Sequence, residues 1–328
     1  MIRAALLASA LLASPLLLAP VPALAQDVSK VEIKTEVVTP GIAVLFGAGG
    51  NVAVSHGADG TVLVDDQFAP LTPKLEAAVA ALGAKPVKWL INTHWHGDHS
   101  GGNENFGKAG AMIMAHDHVR ERMAAGQILR GEAVPPAAKE ALPILTYHDG
   151  ISLYLNGDTL RVMHAPHAHT DGDSILQWQG ANVFHMGDLF FNKVTLPFID
   201  LESGGSAYGL LAAADKVLAL ANDKSVIIPG HGPLATKADL AAYRAMLADV
   251  IAAVESAKAA GKTLEQVQAM KPAAKYEVPK AFISGDAFVA AVFNSQKGHP
   301  RGVQPDRTKD VMGAKGGDHA HGEESHSH

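Results

Sequence analysis

No cysteine occurs anywhere in the chain. That absence removes thiolate nucleophiles, disulfide staples and every cysteine-based zinc site, and leaves histidine and carboxylate as the candidate metal ligands. Basic residues are also short: 27 Lys and Arg stand against 33 Asp and Glu, and no basic cluster interrupts the sequence. A nucleic-acid substrate is therefore disfavoured, because phosphate backbones are held mainly by clustered cations. Long apolar runs are missing too, with one exception. Residues 4–21 are dominated by Ala and Leu, and no other segment approaches the ~20 apolar residues that a membrane span needs. No internal repeat suggests a solenoid.

The one apolar run reads as a cleaved leader. Arg3 supplies the positive n-region, prolines stand at 15, 20 and 22, and Ala23-Leu24-Ala25 is a small-x-small cleavage pattern. The mature chain is then expected to begin near Gln26, with its formal charge moving from −6 to −7 as Arg3 is lost. No cysteine stands at the cleavage point, so lipid attachment there is excluded. The expectation is a periplasmic or secreted protein without stable membrane insertion, and no motif speaks to subunit assembly. The ~300 residues that remain are enough for a core without disulfides. We divide the chain into a leader (1–25), one folded domain with C-terminal helices (26–300) and a disordered His-rich tail (301–328). The four tail histidines could gather zinc, or could simply belong to a solvated terminus.

Between these ends, β-rich runs predict strands over residues 31–38, 42–46, 52–55, 61–64, 87–91 and 112–115. A second batch covers 151–163, 174–178, 183–186 and 225–228. Helical patterns cover 74–82, 117–125, 208–220, 237–260 and 264–270, and residues 126–143, with Pro135-Pro136, read as a long loop or flap. Strands in two batches, each followed by helices, imply two packed sheets with helices outside.

The chemistry is concentrated in Asn92-Thr-His-Trp-His-Gly-Asp-His-Ser-Gly-Gly-Asn103. His94 and His96 alternate, so an extended backbone can point both imidazoles to one side. Asp98 and His99 follow a glycine that lets the chain turn, and can serve a second, adjacent ion. Imidazole and carboxylate suit zinc. More ligands are needed, and three further stations supply them: His169 in His169-Thr-Asp-Gly-Asp-Ser174, Asp188 in His185-Met-Gly-Asp-Leu-Phe190, and His231 in Ile228-Pro-Gly-His-Gly-Pro233. Each lies at a strand end beside or near glycine. Asp65, ending an apolar strand, is expected to anchor the ligand loop by hydrogen bonds. His116 and His118 are expected to cap or support, His164 and His167 to be exposed by default or to line the substrate pocket, His185 to pack in the core, and His56 and His148 to lie in turns. Trp95 could pack under the site or touch substrate, and residues 47–51 could be a flap or a plain hairpin turn.

With these four stations in this order over roughly residues 40–235, the chain resembles the metallo-β-lactamase-fold superfamily. The resemblance implies a four-layer αββα sandwich with the site on one edge between the sheets. It implies that His94, His96 and His169 hold one Zn2+, that Asp98, His99 and His231 hold a second, and that Asp188 bridges both. Two such cations lower the pKa of a shared water and polarise a carbonyl, so a hydroxide-driven hydrolase is expected, with Asp98 also orienting the nucleophile or relaying a proton. The substrate is then a small molecule with a hydrolysable carbonyl. Export favours a β-lactam or a related cyclic amide or ester. The bridging Asp188, where one β-lactamase subclass has cysteine, resembles instead glyoxalase II-type thioesterases and lactonases. Phe191 stands where that subclass places a carboxylate-binding lysine, and Lys193 is off register. Iron-dependent relatives fit less well: His96 replaces the glutamate of flavodiiron proteins, and the full second ligand set exceeds what a one-iron persulfide dioxygenase uses. A non-catalytic zinc-binding protein is the remaining rival.

Overall fold

Alternating apolar residues make the sheets two-sided, and the computed structural model, which describes residues 28–297, shows both faces covered. The expected cleavage site near Gln26 and the His-rich tail from residue 301 lie outside the described residues. Strands β1 (Lys34–Thr39), β2 (Ile42–Phe46), β3 (Val52–Gly57) and β4 (Gly60–Val64) form an antiparallel meander. Helix α1 (Thr72–Ala81) crosses over, so β5 (Val87–Ile91) joins β4 in parallel. Short helices α2 (Gly97–Ser100) and α3 (Asn103–Lys108) lead to β6 (Met112–His116), parallel to β5, and then to α4 (Asp117–Ala125). Residues 127–134 form a separate hairpin, β7 (Gln127–Leu129) with β8 (Glu132–Val134), and β9 (Leu145–Tyr147) completes a seven-stranded sheet beside β6.

The second sheet has five strands in sequence order: β10 (Gly150–Leu155), β11 (Asp158–Ala165), β12 (Asp173–Trp178), β13 (Val183–His185) and β14 (Val226–Ile228). Helix α5 (Ala207–Leu220) is the crossover that makes β14 parallel to β13. Helices α6 (Lys237–Ala259), α7 (Leu264–Ala269) and α8 (Gly285–Asn294) follow, α6 opened by a capping box between Thr236 and Asp239.

The layer order follows from the period of two along each strand. In β4, Val62 and Val64 point toward Leu176 and Trp178 of the other sheet, while Leu63 between them packs outward with Leu75 and Val79 of α1 and Phe106 of α3. In the second sheet, Leu176 faces the first sheet and Ile175 faces outward with Leu210, Val217 and Leu247 of α5 and α6. The result is helix, sheet, sheet, helix, the αββα sandwich. Among the described residues no helix is long and apolar enough to cross a membrane.

Two expectations change. The loop expected over 126–143 contains the β7–β8 hairpin, turned by Arg130 and Gly131 at φ 54° and 81°. The strand expected over 31–38 starts only at Lys34, after a short 3-10 turn at Val28–Lys30. The C-terminal ends of β4, β5, β13 and β14 lie together at one edge, where α/β folds place their sites.

Candidate metal centre

Asp65 sets the frame. It directly follows β4 in a left-handed conformation (φ 62°), fully buried, and its carboxylate accepts three hydrogen bonds. Oδ1 takes the backbone N–H of Thr93 at 2.7 Å; Oδ2 takes the Thr93 hydroxyl at 2.8 Å and His99 Nδ1 at 2.8 Å. The loop after β5 is thus held by one side chain at both ends of the ligand motif. Because the Thr93 hydroxyl donates to Asp65, its oxygen is left to accept from His94 Nδ1, 3.0 Å away. His96 Nε2 is bonded to Asp200 Oδ2 at 3.0 Å, and His169 Nδ1 to the Phe198 carbonyl at 2.9 Å. Each outer nitrogen carries the proton, so the inward nitrogen of His94, His96 and His169 presents a lone pair.

Those lone pairs converge. His96 Nδ1 lies 3.1 Å from His94 Nε2 and 2.8 Å from His169 Nε2. A second cluster forms beside it: His231 Nε2 is 3.3 Å from both His99 Nε2 and Asp98 Oδ2, and Asp98 Oδ2 is 3.7 Å from His99 Nε2. Asp188 spans the two. Its Oδ2 faces His169 (3.6 Å) and His94 (3.9 Å), and its Oδ1 faces His99 (3.0 Å) and His231 (3.3 Å). All seven residues singled out in the sequence are therefore brought together, in two groups whose ligand atoms lie within 4.8 Å of one another.

The donor set fits zinc. Two ligand atoms bound tetrahedrally at ~2.0–2.1 Å lie roughly 3.3 Å apart, the spacing seen here. Asp188 Oδ1 is buried with no hydrogen-bond partner, an orphan that a cation would satisfy. Glycine keeps the cradle open: a Cβ on Gly230 would stand 2.1 Å from Asp188 Oδ1 and one on Gly50 2.1 Å from His99 Cε1. Charges within the second cluster reinforce each other. Burial would raise the Asp188 carboxyl, but His231 and His99 outweigh it and hold it well below the usual range. Burial would likewise lower His231, yet Asp188 and Asp98 hold it up to about 9. In the first cluster burial wins, and His169 is pushed down to about 4. Metal entering the second cluster must displace protons, so its affinity falls in acid.

The supporting residues are mixed in outcome. Asp65 stands where expected, and His185 packs fully buried in the core with Nε2 on the Asn51 carbonyl (3.0 Å). His116 caps α4 by accepting the His118 N–H. Residues 47–51 are a pinned turn, Asn51 bonding the carbonyls of Pro229 and Gly232. Trp95 packs with Ala115 and Val119, and it also lines the cavity described below. His56 lies inside β3 rather than in a turn. His164 is not an exposed loop residue: its ring stacks on His116 at 3.7 Å. Asp200, which orients His96, carries no signal in the sequence, because nothing local marks an aspartate 104 residues from its partner.

The stacked His116–His164 pair has a pH consequence. Burial, helped by His164 and His118, pushes His116 from 6.5 down to about 4, and burial lowers His164 as well. The unfolded chain takes up these protons near pH 6.5 and the folded chain does not. The contribution of this pair to stability is therefore complete above about pH 6.5 and falls as pH drops toward 4. Thermal unfolding should show a lower midpoint at pH 5 than at pH 7, and His164→Gln should make this acid limb shallower. An unchanged slope would place the titration elsewhere.

A cavity of about 950 Å³ opens onto Asp98, Asp188 and His231, walled by Phe68, Trp95, Phe191 and Phe198. Lys193 is turned away from it and pairs with Asp239 at 2.7 Å. The centre is thus accessible to a small molecule through a mostly apolar space.

The chain is similar to known proteins. The family model of the metallo-beta-lactamase superfamily matches residues 37–231. A hydroxyacylglutathione hydrolase of Anaeromyxobacter dehalogenans is 28% identical over 249 residues, 72% of this chain and 82% of that protein. A beta-lactamase-like protein 2 homolog of Caenorhabditis elegans is 25% identical over 184 residues, 54% of this chain and 53% of that one. Among solved structures, a metallo-beta-lactamase from Pontibacter korlensis superposes with a TM-score of 0.57 at 16% identity, covering 66% of this chain and all of that chain. An inverting sec-alkylsulfatase from Pseudomonas sp. gives 0.61 at 18% identity, covering 80% of this chain and 50% of that chain; both likenesses show the fold. The chain belongs to the metallo-beta-lactamase superfamily and is a metallo-hydrolase of that fold.

Proposed function

We propose that this protein is a two-zinc hydrolase of acyl carbonyl bonds, exported to the periplasm or beyond, with thioesters and activated esters or lactones as its preferred substrates. The observation that carries this reading is Asp188, one oxygen turned to each histidine cluster. His94, His96 and His169 would hold one ion, Asp98, His99 and His231 the other, and Asp188 would be shared. Bound there, zinc supplies Lewis acidity and brings the ionisation of water toward neutral pH. The chain's own groups do the rest. Asp98 lines the cavity and stays ionised: burial would raise its carboxyl, but His99 and His231 outweigh that and hold it down to about 2. It can therefore accept a hydrogen bond from the attacking water and orient it. Phe198 and Trp95 exclude bulk water from the carbonyl end of the cavity.

Thioesters rank first because the Anaeromyxobacter relative is named for that chemistry and because an aspartate stands at the bridging position. A β-lactam belongs to the same reaction class, but neither Phe191 nor Lys193 offers its carboxylate a cation in the cavity. A zinc carrier would have no use for a cavity of this size opening on the ligands. The test is a hydrolysis screen of thioesters, lactones, activated esters and β-lactams with metal analysis on the same sample. About two zinc ions per chain and turnover of a thioester or ester are expected. Two zinc ions with no turnover of any class would overturn the hydrolase assignment, and a clear β-lactam preference would reverse the ranking.

A further inference from the structure

We propose that Arg130 and Lys280 form an anion subsite at the mouth of the cavity, selecting acyl substrates whose apolar body carries a negative charge remote from the scissile carbonyl. This rests on the reading of the cavity as the substrate site. Three arginine or lysine side chains line that space: Arg122, Arg130 and Lys280. Arg122 is committed, holding Asp171 with two bonds of 2.7 and 2.6 Å and Gln127 with a third of 2.8 Å. Arg130 and Lys280 have no carboxylate in ion-pair range among the described residues. The lining acids are committed as well: Asp98 and Asp188 belong to the metal centre, and Glu104 pairs with Lys108. The cavity therefore keeps two cations with no internal counter-charge.

Arg130 is also positioned. It turns the β7–β8 hairpin, and its backbone N–H is fastened to Glu202 Oε2 at 2.8 Å. Its guanidinium carbon lies 4.6 Å from the Phe282 ring and 6.0 Å from the Phe198 ring. Phe198 in turn stacks on His96 at 5.8 Å and meets His169 edge-on at 5.6 Å. One aromatic ring thus separates the guanidinium from the first ligand cluster, which sets the distance between a bound anion and the reacting carbonyl. Phe282 is 64% exposed, an apolar surface that an acyl body entering the cavity would cover. Cation–π contact keeps the fork of Arg130 on this rim while leaving its N–H groups to bind a carboxylate or similar anion. The walls between, Leu129, Val134, Phe191 and Val194, are apolar, which suits a hydrocarbon or aryl body rather than a polar one.

The test compares octanamide with suberic acid monoamide, the same chain ending in a carboxylate, by calorimetric titration of the zinc-loaded full chain. Roughly tenfold tighter binding of the carboxylate is expected, the size of one charge-assisted hydrogen bond, with the advantage shrinking as salt is added. Arg130→Ala with Lys280→Ala should reduce that preference to within about twofold, and Arg130→Lys should restore part of it. Equal binding by the wild type would overturn the subsite. So would a preference that survives in the double variant, since the carboxylate would then be held by the metal centre. Octanoyl and suberoyl thioesters supply a second readout, in which the suberoyl advantage lies in KM. Should neither thioester turn over while the binding preference stands, the subsite holds and the thioesterase reading falls. Turnover of both without discrimination does the reverse: the subsite falls and the thioesterase reading holds.

Discussion

With His96 and His231 both replaced by alanine, hydrolysis should disappear while the two sheets stay folded. The two residues belong to different clusters, so the pair removes a ligand from each proposed ion site at once. His96 Nδ1 is the atom nearest to both other histidines of its group, at 3.1 and 2.8 Å, and His231 Nε2 is within 3.3 Å of three partners. Metal-ion catalysis contributes several kcal/mol, so kcat/KM should fall by at least roughly 10³-fold. The fold should survive because neither ring belongs to the hydrophobic clusters. Asp200 loses the His96 ring but keeps the Ser203 N–H at 3.0 Å, so the expected cost is about 1–3 kcal/mol. Metal analysis should find zinc lost from both positions, with an unchanged circular dichroism spectrum. Activity within tenfold of the parent would overturn the two-metal mechanism.

What made these candidate ligands legible is that they follow strand ends beside or near glycine, a local pattern. The strands themselves were readable wherever breakers bounded an apolar run: β2 and β5 match their expected limits residue for residue, as does α4. Asp65 was readable as the one charged residue closing an apolar strand. Other features carried no such mark. Asp200 meets His96 only because β5 and the loop before α5 share one edge of the sandwich. The β7–β8 hairpin has strands of three residues, too short for alternation to show. Helix α8 is not among the expected helices either, although Ser284 caps it and Phe288, Val289 and Val292 line one buried face. His164 looked like a loop residue because stacking on His116 is a tertiary event.

The subtler substitution, Asp65→Asn, should separate metal affinity from folding. Asparagine tolerates the left-handed backbone that Asp65 adopts at φ 62°, so the exchange adds no backbone strain. Its carbonyl can still accept the Thr93 N–H, now made to Oδ1 at 2.7 Å. The amide NH2 must then occupy the place of Oδ2, where two donors, the Thr93 hydroxyl and His99 Nδ1, now converge at 2.8 Å. A donor there forces His99 Nδ1 to become an acceptor, which moves its proton to Nε2. That is the atom facing Asp188 at 3.0 Å, and once protonated it cannot bind metal. Exchanges of this kind cost roughly 10–100-fold in metal affinity, and here the loss should fall on the second ion alone. Chelator competition should show one zinc bound as in the parent and one weakened, with activity recovering in excess zinc. Asp65→Ala should behave differently, since it strands the buried Thr93 donors and lowers stability by about 1–3 kcal/mol as well. If Asp65→Asn bound both ions at parental affinity, the carboxylate would be holding the loop and not the tautomer of His99.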